Sequence, residues 1–221
     1  MGVSADQAKQ QLLLGLERGF PLPHNILRLP SPDAQVRNSA VLVLFGALDS
    51  VLASSSSHVR GAYTGAISTH ELPQTSPFLG ASAAAQIAPE LDVLLLRRSN
   101  GLRNHAGQIA FPGGGVEPGD SGRAATALRE AHEETGLDPS GVDVLGMLPD
   151  AHIPVSNYQV TPVIGWWRLP SEVTADTQES VEVFRVPVAE LIDPAARGTS
   201  QLTFRGRSLR GPAFKLGPQF G

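Results

Sequence analysis

The segment spanning residues 113–137, GGGVEPGDSGRAATALREAHEETGL, constrains the fold of this chain more than any other stretch. Three glycines open it, and the pattern of residues 121–135 predicts a helix. Gly136 then stands where a glycine commonly ends a helix. The segment therefore predicts a tight, glycine-rich turn that leads directly into a short helix.

Three glutamates share one face of this predicted helix. Glu130, Glu133 and Glu134 stand at positions i, i+3 and i+4 of REAHEE. Neighbouring carboxylates repel one another, but Mg²⁺ and Mn²⁺ prefer oxygen ligands and would turn that repulsion into binding. A solvated acidic helix would have the same spacing. The glycine turn before it, whose N–H groups can face a phosphate, and the cations Arg123 and Arg129 favour the metal-binding interpretation.

The same segment resembles the Nudix box, in which Gly, x5, Glu and x7 precede Arg-Glu-aliphatic-x-Glu-Glu-x-Gly-aliphatic. In the first half, the standard spacing places Ser121 at the acidic position. One extra residue instead places Gly114 at the first glycine and Asp120 at the acid. We prefer this second register because it gives Arg129 a carboxylate partner. The second half matches at Arg129, Glu130, Ala131, Glu133, Glu134, Gly136 and Leu137.

A second motif adjoins the first on its N-terminal side. Residues 94–114, LLLRRSNGLRNHAGQIAFPGG, are similar to the segment that precedes the Nudix box in coenzyme A pyrophosphatases, also called CoA diphosphatases. The matching residues are Arg98, Ser99, Leu102, Arg103, His105, Gly107, Gln108, Phe111, Pro112, Gly113 and Gly114. Two adjoining motifs in the right order are far more specific than a glycine run alone.

This resemblance implies a fold and an activity. The fold is an α/β (α+β) Nudix fold, a mixed β-sheet sandwiched between helices. The activity is hydrolysis of the diphosphate bond of coenzyme A or acyl-CoA, with Mg²⁺ or Mn²⁺ as cofactor, to 3′,5′-ADP and (acyl-)4′-phosphopantetheine. One alternative is a Nudix pyrophosphatase acting on ADP-ribose, a dinucleoside polyphosphate or NADH. The other is a Nudix-fold nucleotide-binding regulator without catalysis.

The predicted site follows from the same residues. The metal ligands are expected to be Glu130, Glu133 and Glu134, and the resemblance adds the carbonyl of a glycine near Gly114. Arg129 is expected to orient these carboxylates. The general base stays open between Glu133 and two glutamates of TQESVEVFRVP, a segment similar to a family stretch: Glu179 and Glu182.

The predicted substrate-binding residues form a second group. In an acidic protein the arginines of this group form a local basic cluster suited to phosphate groups. Arg103 and His105 could instead brace a loop, Gln108 could be structural, and Tyr158 could serve only packing. The group comprises Arg98, Arg103, His105, Gln108, Gly113, Gly114 and Tyr158.

The remaining pattern predicts an N-terminal helix and arm over residues 1–38 and one domain over 39–221. The segment of about 46–90 is rich in serine, glycine and alanine and reads as an insertion. Apolar runs predict strands, and a helix-and-hairpin pattern closes the chain. The predicted strands are 40–45, 91–97, 108–111, 142–148, 160–167 and 181–186, with helices at 5–18 and from 187 to 191 and a hairpin at 199–209.

Composition limits the partners. The formal net charge is −4 and the pI about 5.8, which argues against long nucleic acid as a partner. The family resemblance implies a small nucleotide diphosphate instead. The chain has no cysteine, which fits a cytoplasmic location. No apolar run is long enough to predict a membrane span. The N-terminal helix and the insertion suggest a possible homodimer interface.

Overall fold

A computed structural model of the protein describes residues 4–19, 35–47, 88, 90–101, 107–153, 156–176, 178–204 and 207–214. The α-helices in these ranges are α1 (Ala5–Arg18), α2 (Arg123–Thr135) and α3 (Val188–Ile192). The strands are β1 (Arg37–Ala47), β2 (Leu91–Arg98), β3 (Ile109–Ala110), β4 (Gly113–Gly115), β5 (Val142–Met147), β6 (Ala151–Ile153), β7 (Tyr158–Trp167), β8 (Ser180–Pro187), β9 (Arg197–Phe204) and β10 (Arg207–Phe214).

Strand β1 is the centre of the main sheet. It pairs in parallel with β7 along most of its length and antiparallel with β2 and β4 on its other edge. Strand β8 pairs with the outer edge of β2, and β5 and β6 pair with β7, all antiparallel. The sheet is therefore mixed, and β9 and β10 form a separate hairpin.

The two faces of this sheet bury different clusters because successive side chains of a strand point to opposite sides. We call the side covered by α2 the helix face and the other side the far face. The far face buries Val93, Leu95, Phe184 and Val186 against the start of α3. The helix face buries Ala40, Leu42, Leu44, Leu94, Ala127, Ala131, Leu137, Val163 and Trp167.

Helix α1 packs beside Trp166 and β5. Its N-terminus has a capping box in which Ser4 and Gln7 bond reciprocally, and this arrangement satisfies backbone donors that the first turn leaves open. Leu12 packs into the cluster around Trp166, and Leu16 contacts Gly146. Leu13 is 36% exposed, because successive side chains of a helix point in different directions.

The mixed sheet between helices that the sequence predicted is confirmed. Each predicted strand and helix is present within a few residues, although α2 begins at Arg123 rather than at 121. The strand β1 begins at Arg37, inside the range predicted as an arm. Almost all of the predicted 46–90 insertion lies outside the described residues. None of the described helices has the length and apolar character needed to cross a bilayer.

Candidate active site

The glycine turn lies directly against the glutamate helix. Strand β4 pairs with β1 so that Gly114 stands opposite Ala40. A side chain at Gly114 would collide with the carboxylate of Glu130, and one at Gly113 would collide with the main chain of β1. Gly113 also has a φ of 159°, which side-chain-bearing residues rarely adopt. Glycine is thus required at 113 for the close pairing of β4 with β1, and the missing side chain at Gly114 leaves space for the Glu130 carboxylate.

Glu134 is the buried carboxylate of the site, with 2% of the residue exposed. The N–H of Gly113 donates to its Oε2 at 2.9 Å, and Nη1 of Arg98 donates to its Oε1 at 3.3 Å. Burial raises the pKa of Glu134 to about 7, although these two donors act in the opposite direction. The two donors hold this carboxylate in place, but they do not fully offset the cost of burying its negative charge. A buried carboxylate of this kind is suited to binding a cation.

Arg129 and Asp120 make the contact that the second register predicted. Nε of Arg129 donates to Oδ1 of Asp120 at 3.0 Å, and Nη2 donates to Oδ2 at 3.1 Å. The Thr126 hydroxyl and the Glu117 N–H also donate to Asp120. Arg129 is the main reason that the pKa of Asp120 lies well below its usual range. The bidentate pair fixes the plane of the guanidinium.

The rest of the Arg129 guanidinium reaches the metal-ligand candidates. Nη1 donates to Glu130 at 3.1 Å and to Glu133 at 3.0 Å, and Nη2 donates to the carbonyl of Gly115 at 2.9 Å. Burial raises the pKa of Glu130, Arg129 lowers it, and the charges of Glu133 and Glu179 raise it further. One guanidinium thus contacts both Glu130 and Glu133, and the orienting role of Arg129 stays a prediction.

The two later glutamates take different places. The backbone of Glu179 is held by the Ser99 N–H, which donates to its carbonyl at 2.8 Å. The hydroxyl of the next residue, Ser180, donates to the carbonyl of Glu134 at 2.8 Å, so the segment that carries Glu179 contacts the end of α2. The charge of Glu179 also raises the pKa of Glu130 and of Glu134.

Glu182 instead forms an ion pair with Arg97 at 2.9 Å. Its alternation with Phe184 along β8 puts it on the far face. The structure therefore brings Glu179, and not Glu182, to the helix glutamates.

The structure describes some of the predicted substrate-binding residues. Arg98 contacts Glu134, and the backbone carbonyl of Gln108 accepts from the N–H of Arg98 at 2.9 Å. Tyr158 lies an even number of residues before Trp166 on β7, so both side chains point to the far face. The Arg37 guanidinium carbon lies 4.3 Å from the centroid of the Tyr158 ring. Arg103 and His105 lie outside the described residues.

The glutamate cluster matches a hard divalent cation in the chemistry of its donors. Within the described ranges, however, no group of three acidic or imidazole side chains is arranged to hold a metal ion as it stands. The reason is visible in the contacts: Arg129 engages Glu130 and Glu133, while Arg98 and Gly113 engage Glu134. A cation would compete with Arg129 for the first two carboxylates.

Sequence reasoning missed two hydroxyl groups that support this cluster. Thr126 is fully buried and bonds Asp120 at 2.8 Å. Ser180 is fully buried and bonds the backbone carbonyl of Glu134 at 2.8 Å. Thr126 lies one helical turn before Arg129, a spacing that could have suggested it. No sequence signal indicated Ser180, which is 46 residues from Glu134.

The raised pKa of Glu134 predicts a pH effect on the metal-free protein. A carboxyl whose folded pKa lies above its unfolded value of 4.5 binds its proton more tightly when folded. The free energy of unfolding in EDTA should therefore fall as the pH rises from about 4.5 to about 7. Urea denaturation across this range measures it, and Glu134→Gln should give a shallower decline. Equal slopes for both proteins would contradict the assignment.

Comparison with known proteins adds the family context. Residues 78–205 match the family model of the NUDIX domain. The protein "Uncharacterized Nudix hydrolase NudL" of Cronobacter sakazakii is 45% identical over 104 residues, which cover 47% of this chain and 54% of that protein. The NudL protein of Escherichia coli K12 shows the same identity and coverage. The chain thus spans about half the length of the curated relatives it matches.

Solved structures show a distant likeness. The Nudix hydrolase RenU of M. smegmatis is 19% identical with a TM-score of 0.45, covering 71% of this chain and 74% of that one. A C. elegans Ap4A hydrolase binary complex is 15% identical with a TM-score of 0.43, covering 71% and 85%.

Proposed function

The chain belongs to the Nudix family, whose model it matches over more than half of its length, and from that premise we propose that it is a metal-dependent diphosphatase. Its substrate would be a small nucleotide derivative, with coenzyme A or acyl-CoA favoured. The main observation behind the proposal is the contact of the glycine turn with two glutamates of α2. Gly114 lies directly against the Glu130 carboxylate, and the Gly113 N–H donates to the buried Glu134. That arrangement joins backbone N–H groups, glutamates and a fixed arginine in one place.

Glu130, Glu133 and Glu134, with the carbonyl of Gly114, are the groups that would hold Mg²⁺ or Mn²⁺. When bound, the cation neutralises charge on the diphosphate oxygens and lowers the pKa of a coordinated water. The protein's own contribution is to fix the positions of these carboxylates. Arg129 does this through its contacts with Glu130 and Glu133, and its tie to Asp120 keeps it from swinging onto the substrate.

Glu179 is the proposed general base. It directly precedes Ser180, whose hydroxyl donates to the carbonyl of Glu134 at 2.8 Å, so its segment of chain lies against the end of the glutamate helix. Removing a proton from the attacking water makes it a stronger nucleophile towards phosphorus. Glu133 remains the alternative, because its carboxylate lies at the more exposed rim of the cluster.

The choice of coenzyme A rests on the motif of residues 94–114. Coenzyme A carries a 3′-phosphate in addition to its diphosphate, so it needs more cationic contacts than a simple nucleotide. Arg98 already engages Glu134, which leaves Arg103 and His105 as the proposed ligands of that extra phosphate. The cytoplasmic location and the homodimer stay predictions of the sequence.

A substrate panel tests the proposed function. The purified protein is incubated with CoA, acetyl-CoA, ADP-ribose and a dinucleoside tetraphosphate, with Mg²⁺ and separately with Mn²⁺, and the products are separated by chromatography. We expect 3′,5′-ADP to be released fastest from a CoA substrate. Faster cleavage of another diphosphate would keep the chemistry and reject the substrate. Absence of cleavage throughout would favour a nucleotide-binding regulator.

A further inference from the structure

We propose that Ser180 is a positioning residue, whose buried hydroxyl locks the C-terminal end of α2 to the loop that carries Glu179. The inference rests on the proposed function, since it concerns how the metal-ligand candidate Glu134 and the base candidate Glu179 are held together. Ser180 follows Glu179 directly in the chain and begins β8. Its backbone position is fixed by pairing with Arg98 of β2.

The last carbonyls of α2 have no partners within the helix, as at any helix end. The loop before β8 supplies those partners. Ser180 donates its hydroxyl to the carbonyl of Glu134 at 2.8 Å, and the Asp176 N–H lies 3.3 Å from the same oxygen. The Thr174 N–H donates to the carbonyl of Thr135 at 2.8 Å. The loop therefore docks on the helix through its backbone and one side chain.

The Ser180 hydroxyl forms two hydrogen bonds in this contact, one as donor and one as acceptor. It donates to Glu134 and accepts from the Asp176 N–H at 3.2 Å. The residue is fully buried, so water cannot replace either bond without a rearrangement. Alanine at this position would remove one donor from the buried carbonyl of Glu134 and one acceptor from the partly buried N–H of Asp176.

These contacts close a ring around the glutamates. Arg98 binds the Glu134 carboxylate with its side chain and pairs with Ser180 through its backbone. Ser99 donates its N–H to the carbonyl of Glu179 at 2.8 Å. Glu134 is thus held at its carboxylate by Arg98 and at its carbonyl by Ser180. These two contacts come from β2 and β8, which pair with each other. A shift at Ser180 would therefore move Glu179 relative to Glu134.

The test compares Ser180→Ala with the wild-type protein in two assays. Supporting groups around metal ligands typically change affinity or activity by about 10- to 100-fold when they are removed. We therefore expect Mn²⁺ binding, followed by electron paramagnetic resonance of the free ion, to weaken by about 10-fold. On the best substrate of the panel, kcat should fall by about 10-fold or more while KM changes little. Ser180→Cys, a near-isosteric but weaker donor, should fall between the two.

Ser39→Ala is the matched control. Ser39 is also a buried serine in the sheet whose hydroxyl bonds a backbone carbonyl, that of Gln159 at 3.4 Å. Both variants should lower the melting temperature, but only the change at Ser180 should alter Mn²⁺ affinity and kcat. Equal effects of the two alanine variants in both assays would overturn the proposal. Because Mn²⁺ binding is read without turnover, a wild type that binds the ion but cuts no diphosphate would reject the proposed function alone.

Discussion

Replacing Glu134 by glutamine should lower kcat by a factor on the order of 100 or more, because stabilising charge on the reacting phosphate contributes several kcal/mol. The substitution keeps the size of the side chain and its acceptor for the Gly113 N–H. It removes the negative charge that a divalent cation requires of its ligand. Nucleotide binding should persist, and Mn²⁺ binding should weaken in parallel with kcat.

Measuring the stability of Glu134→Gln distinguishes a loss of kcat from a failure to fold. Burial of the Glu134 carboxylate disfavours its charged form, so a neutral glutamine should not destabilise the metal-free protein at pH 8. Thermal unfolding in EDTA checks this point. Glu182→Gln makes the same chemical change on the far face, where the carboxylate pairs with Arg97. It should leave kcat within about twofold, as expected for a partly exposed ion pair remote from the reaction.

The reverse result would redirect the assignment. If Glu182→Gln abolished turnover and Glu179→Gln did not, the base would be the glutamate that the structure places with Arg97. The loop and β8 would then have to rearrange when substrate binds. If Glu134→Gln retained full activity, the helix glutamates would not be the cation site, and the chemical part of the proposed function would fail.

The second large effect concerns folding rather than catalysis. Asp92 on β2 is 1% exposed and forms an ion pair with Nε of Arg185, whose Nη2 also donates to Asp92 Oδ1 at 2.9 Å and to the carbonyl of Ala47 at 2.7 Å. The guanidinium lies 5.2 Å from the ring centroid of Trp167. Asp92→Ala would leave this cation buried without its counter-charge. The free energy of unfolding should fall by about 3–5 kcal/mol.

Two comparisons make this prediction specific. Asp143→Asn breaks a partly exposed cluster with Lys9 and Arg168, at 2.8 Å and 3.0 Å, and should cost no more than about 1 kcal/mol for each pair. The double variant Asp92→Leu/Arg185→Met replaces the buried pair by apolar groups and should recover much of the loss. Urea denaturation of the four proteins provides the measurement. A single variant at Asp92 no less stable than Asp143→Asn would show that the buried pair is dispensable.

Local pattern was sufficient for the elements of the fold. The apolar run of β1 and the alternation of β8 fix where those strands lie, since burial on one or both faces imposes its own spacing. The helix α2 and its glycine end follow from Gly136, which adopts a left-handed conformation with φ 67°. Placement of Asp120 with Arg129 was also readable, because both belong to one short continuous motif.

Contacts between distant segments needed the tertiary structure. Sequence spacing offered no reason to prefer Glu179 or Glu182 as the general base. The register of β8 against β2 places Glu182 beside Arg97 on the far face. A shift of one residue in a strand moves every side chain to the other face, so the pattern of a single strand cannot decide this.

The amino-acid sequence by itself determined the family, the elements and the row of glutamates on α2, because these depend on neighbours within a few residues. The tertiary structure decided which groups surround that row. It placed Arg98 on the carboxylate of Glu134 and Ser180 on its carbonyl, although 36 and 46 residues separate them in the chain. Such pairings arise from the packing of strands and loops on one sheet, and no local preference of the residues encodes them.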